Sequence, residues 1–193
     1  MARVVAFFKS TAGRVLLLLI ANATIVSGFG RFAAAYVRDD GPGMLDLELS
    51  FNAGVFRQIL KLWTDAGAKA NVDAIGLAFT SIWTLDTIFP LAYAMLFSTI
   101  YIWLREHRGV RPQSLLVALP YVAAGFDYVE NLLLLWLLSH TGTLADGPVY
   151  VMSLAAVAKI TLLSISGAMS IADCLPAIAA ACCGRHATAC CRW

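Results

Sequence analysis

A chain of 193 residues that is 60% hydrophobic and 13% charged, with a mean hydropathy of +0.77, is too apolar for a soluble domain, in which about a quarter of the residues are charged. The formal charge of +2 is thinly spread, and no basic arm or patch points to nucleic acid. The composition implies an integral, multi-pass membrane protein in contact with membrane lipids, in a bacterial inner membrane or a eukaryotic membrane.

Four stretches, 15–36, 76–103, 114–139 and 148–172, hold the run of about 20 apolar residues that a helical crossing needs. The expected fold class is therefore all-α, a bundle of four transmembrane helices over residues 1–173 followed by a Cys-rich tail at 174–193. Basic residues set its orientation. Arg3, Lys9 and Arg14 precede the first stretch, Arg105, Arg108 and Arg111 join the second to the third, and Arg185 and Arg192 lie in the tail. The 140–147 connection has none. By the positive-inside rule both termini are cytoplasmic, and the long 37–72 loop lies outside although it carries Arg38, Arg57, Lys61 and Lys69.

The first stretch opens like a secretory signal, with a basic start, an apolar run and Ala21-Asn22-Ala23 as a small-residue cleavage pattern. The apolar run continues to Tyr36, so an uncleaved first helix is expected. Arg31 stands roughly 24 Å into it and shares a face with Thr24 and Ser27, which turns it inward or lets it snorkel outward. Asp39-Asp40-Gly41-Pro42-Gly43 breaks the helix. With Ser50 as N-cap, residues 51–65 then read as an amphipathic helix lying in the outer interface. Phe51, Val55, Phe56, Ile59, Leu60, Leu62 and Trp63 form its apolar half, and the helix is either a packing lid or a gate.

In the second stretch Asp86, Pro90, Tyr93 and Phe97 form one stripe, with Trp83 nearby. Pro90 cannot donate to the carbonyl of Asp86. A freed carbonyl at membrane depth must find another partner in protein or water. The third stretch carries Phe126-Asp127-Tyr128-Val129-Glu130-Asn131, in which Asp127, Glu130 and Asn131 leave one helical face. The fourth carries Lys159, with Ser166, Ser170 and Asp173 following on its face.

Counted at about 1.5 Å per residue, Asp86, Asp127, Glu130 and Lys159 lie close to a common depth, with Arg31 at similar depth or slightly shallower. Ionisable groups there are costly and turn toward partners or a wet cavity. Three carboxyls against two cations leave one excess negative charge, so at least one carboxyl is expected to hold a proton at neutral pH. Asp127, Glu130 and Asp86 are the candidate catalytic groups for proton transfer. Trp83, Asp86, Tyr93, Asp127, Glu130, Asn131, Lys159 and Arg31 are the candidate ligand contacts. The leading expectation is a site for a small apolar or lipid-like ligand. Proton-coupled transport through the cluster, and an ion-paired clasp in a subunit of a larger membrane complex, are the alternatives.

Cys182, Cys183, His186, Cys190 and Cys191 make the tail resemble a loose metal-ligand or thiol cluster, but adjacent cysteines lack the two-residue gap of structural zinc sites. A tethered tail, lipidation and metal binding all stay open there. No motif in the sequence asks for a cofactor.

The pattern Asp86-x-x-Phe89-Pro90-x-x-Tyr93, Phe126-Asp127-x-x-Glu130-Asn131 and Lys159, with Leu45-Asp46 before the amphipathic segment, resembles a widespread bacterial-type group of small four-helix membrane proteins without an assigned activity. The resemblance covers most of 15–172, leaves out the tail, and implies a fold only. The architecture is also similar, more distantly, to the sterol-binding fold of the emopamil-binding and sigma-2 (EXPERA) proteins. Their acidic residues do not map cleanly onto Asp127 and Glu130.

Overall fold

The computed structural model describes residues 11–36, 41–70, 72–107 and 113–185, with the backbone alone at 33, 35, 36, 107 and 173–185. In chain order the elements are α1 (Thr11–Tyr36), α2 (Met44–Glu48), α3 (Ala53–Ala70), α4 (Ala74–Ser81), a π-helical turn (Ile82–Asp86), α5 (Phe89–His107), α6 (Ser114–Ser139), a 3₁₀ turn (Thr141–Thr143) and α7 (Asp146–Arg185). The described residues contain no strand. Four spans among them are long and apolar enough to cross a membrane: Thr11–Phe32, Ala74–Glu106, Ser114–Ser139 and Asp146–Ala172. They mark a membrane-embedded helical protein and match the four stretches read from the sequence. The last helix does not end near residue 172. Its backbone continues to Arg185, and 40 residues span about 60 Å, twice the roughly 30 Å of a hydrocarbon core.

The segment between α1 and α4 folds onto one end of the bundle. Gly43 N–H donates to Asp46 Oδ2 at 2.7 Å and starts α2. At the start of α3 the cap is Asn52 rather than Ser50: Asn52 Oδ1 accepts from Val55 N–H at 2.9 Å, and Asp146 Oδ1 of α7 accepts from Ala53 N–H at 2.8 Å. Phe51 joins the two helices with φ +56°, rare for a bulky residue, and its N–H donates to Ser153 Oγ at 3.0 Å. Arg57 Nη2 donates to the Leu144 carbonyl at 2.6 Å, and Trp63 Nε1 to the Pro42 carbonyl at 2.7 Å.

These polar ties hold a narrower apolar stripe than the half-wheel expected. Phe56, Ile59, Leu60 and Trp63 are buried against Leu134, Leu137 and Leu138 of α6 and Val149 and Met152 of α7. Phe51, Val55 and Leu62 stay exposed on the flank, because the bundle covers only the roughly 100° of helix surface that faces it. Gly67 closes the corner into α4. A Cβ there would stand 2.6 Å from the Val72 carbonyl oxygen, so only glycine fits.

Deeper in the bundle, Ala94 of α5 meets Ala123 and Ala124 of α6, with Tyr93, Phe97, Leu162 and Leu163 around them. Such small residues let helices approach closely. α1 packs at the edge. Phe29 meets Phe89 edge to face at 5.7 Å between centroids, and Asn22 Nδ2 donates to the Ala92 carbonyl at 3.2 Å. Leu16, Leu17, Leu19, Ile20 and Val26 leave α1 exposed, as a helix beside hydrocarbon would be.

Candidate functional site

Lys159 is the centre of the buried polar cluster. Its Nζ lies 2.7 Å from Glu130 Oε2, 3.1 Å from Asp127 Oδ1 and 3.7 Å from Glu48 Oε2. An ammonium has three hydrogens, and three carboxylates surround it. The i, i+3 spacing of Asp127 and Glu130 on α6 brings two of them together, and the face of α7 that carries Lys159 turns toward them.

Asp127 is 3% exposed and has both oxygens engaged, Oδ1 by Lys159 and Oδ2 by the Tyr93 hydroxyl at 2.9 Å. Glu130 is fully buried but less well served. Its Oε2 faces the ammonium outside good hydrogen-bond geometry, and no donor among the described residues reaches Oε1.

Asp86 ends the π-helical turn, and α5 does not start until Phe89. The second stretch is thus broken where Pro90 removes a donor. The carbonyls freed there are taken up by α6: Asn131 Nδ2 donates to the Asp86 carbonyl at 3.3 Å, and the Tyr128 hydroxyl to the Thr87 carbonyl at 2.8 Å. Thus Asn131 serves the backbone of Asp86. The Asp86 carboxyl itself makes no hydrogen bond or ion pair among the described residues.

It faces a cavity of about 310 Å³ lined by Phe29 of α1, Met44, Leu45 and Glu48 of α2, Asp86, Phe89 and Tyr93, Asp127 of α6, and Lys159 and Leu163 of α7. One part of the wall carries the carboxyls, the ammonium and the phenol, and the rest is aromatic and aliphatic. A volume of that order is at the small end of ligand pockets. Among the described residues no group of three His, Cys, Asp or Glu side chains is arranged to hold a metal ion.

Of the residues singled out in the sequence, Asp86, Tyr93, Asp127 and Lys159 share this cavity, and Glu130 and Asn131 adjoin it without lining it. Trp83 is not brought there: it is 64% exposed on the π-helical turn. Arg31 is exposed and makes no ion pair among the described residues. It therefore does not offset the carboxyls. Cys182 and Cys183 fall on the α7 backbone, and His186, Cys190 and Cys191 lie outside the described residues.

Sequence reasoning missed Glu48 and Tyr128. Glu48 had a legible signal, a carboxyl set among Leu45, Leu47 and Leu49 in a segment too short to be a surface helix of its own. Tyr128 had none, because its role depends on where the chain breaks opposite it. No protein-family model, curated protein or solved structure matches this chain.

Proposed function

We propose that this membrane protein binds a small amphiphilic molecule in the cavity between α1, α2, α5, α6 and α7, its polar end among Asp86, Asp127 and Lys159 and its apolar body along Phe29, Leu45, Phe89 and Leu163. The observation that carries this reading is the open carboxyl of Asp86. A cluster built only to clasp helices has every charge matched, whereas here one carboxyl is left facing a ligand-sized, half-apolar space. In this reading both termini are cytoplasmic and α3 lies in the opposite interface, with the exposed Val55 and Leu62 toward the headgroups. Filling the cavity tests it. Leu163→Trp should abolish co-purification of any small molecule detected by native mass spectrometry while leaving the melting behaviour close to wild type. Retention of the same adduct in the folded variant would defeat the reading.

The arrangement around Lys159 favours a second reading. Its contacts with Asp127, Glu130 and Glu48 tie α2, α6 and α7 together, so these four residues serve as a clasp whatever the cavity holds. The two roles separate by residue, with Lys159 acting on stability and Asp86 on binding.

A further inference from the structure

Among the described residues, the side-chain donors on the polar wall of the cavity already face carboxyls. The Tyr93 hydroxyl and the Lys159 ammonium both donate to Asp127, and the ammonium is also ion-paired with Glu130 and Glu48. Among the described residues the polar atoms left without a hydrogen bond there are acceptors: the carboxyl oxygens of Asp86 on the wall and, behind it, those of the fully buried Glu130. The charges point the same way. Glu48, Asp86, Asp127 and Glu130 are four carboxyls around one ammonium, and Arg31 stays outside the cluster.

From this we infer the ligand's chemical class: a lipophilic amine, whose ammonium group donates to Asp86 while its hydrocarbon part lies against Phe29, Leu45, Phe89 and Leu163. This rests on the proposed binding reading and narrows it. A fatty acid would bring another acceptor and another negative charge to a wall whose ammonium is already ion-paired. The phosphate of an aminophospholipid would do the same. A neutral alcohol would supply a donor without offsetting the charge. Asp86 is the recognition residue, because among the described residues it alone on the cavity wall is a carboxyl without a hydrogen bond or ion pair.

The test compares dodecylamine, dodecanol and dodecanoate as probes of the purified full-length protein in detergent, with bound probe counted by native mass spectrometry. Dodecylamine should bind most tightly, and Asp86→Asn, which keeps the shape and removes the charge, should weaken it roughly tenfold to a hundredfold. Dodecanol should bind more weakly and respond little to that substitution. Preferential binding of dodecanoate, or equal binding of amine and alcohol, would overturn the amine assignment and leave the cavity reading standing. Binding of none of the three, together with an unchanged adduct pattern in Leu163→Trp, would overturn both. Because the probes are compared on the wild-type protein, the assignment is decided even if the Asp86 variant fails to fold.

Discussion

At the scale of single residues the buried charges divide into those that are held and those that are not. Lys159 is held by three carboxylates, so Lys159→Met leaves Asp127, Glu130 and Glu48 without their cation. Breaking a buried ion pair from one side costs about 3 to 5 kcal/mol, and thermal melting in detergent should show a loss of that order. A variant melting like wild type would mean the cluster is not closed. Tyr93→Phe removes one donor from Asp127, which keeps its lysine. The expected cost is about 1 to 3 kcal/mol by the same measurement. Asp86→Asn removes no partner and should leave the ligand-free melt almost unchanged. The ranking Lys159, then Tyr93, then Asp86 is what separates a clasp residue from a recognition residue. The sequence made Asp127, Glu130 and Lys159 legible, because charged side chains in apolar runs have few places to go. It did not say that Trp83 and Arg31 would stay exposed, because face and depth on a helix do not say which neighbour, if any, is opposite.

At the scale of elements, the informative feature is the break between the π-helical turn and α5. The sequence marks it through Pro90, since a missing N–H and its consequence for the Asp86 carbonyl follow from covalent structure alone. The width of the interruption, and the two side chains of α6 that answer it, follow from packing and could not be read in advance. A double-mutant cycle joins them. In the wild-type background Asn131→Ala should cost about 1 kcal/mol, because it strips the donor from the Asp86 carbonyl. In a Pro90→Ala background a backbone N–H is available to that carbonyl, so the same change should cost less, giving a coupling of at least about 0.5 kcal/mol. Strict additivity would show that Asn131 does not serve the carbonyl. The amphipathic segment gives a similar lesson. Its 3.6-residue period can be read in the sequence, whereas the start of α3 is set by Asn52 and by Asp146 of α7, which accepts from Ala53 N–H from 93 residues away.

At the scale of the whole molecule, the topology we propose, with both termini inside, comes from the distribution of Arg and Lys around the four apolar spans. Single cysteines at Gly142 and at Lys69, in a protein whose native cysteines are serine, should react with a membrane-impermeant maleimide added to intact cells. One at Gln113 should react only after permeabilisation. The reverse pattern would invert the molecule and move α3 to the cytoplasmic face. Hydropathy alone carried the four spans, because crossing length and apolarity are properties of each segment by itself. The cavity was not legible in that way, since it is made by residues from five helices and the π-helical turn, and by the placement of α2, a five-residue helix inside a loop. The central claim is that this cavity holds a molecule. It is tested most directly by an experimental density map of the full-length protein purified gently from its own membrane, with mass spectrometry of the extract. The result expected is non-protein density beside Asp86, running along Phe29, Phe89 and Leu163, with an amine in the extract. A well-resolved cavity that holds only water, with no small molecule in the extract, would contradict it and leave the cluster as a clasp.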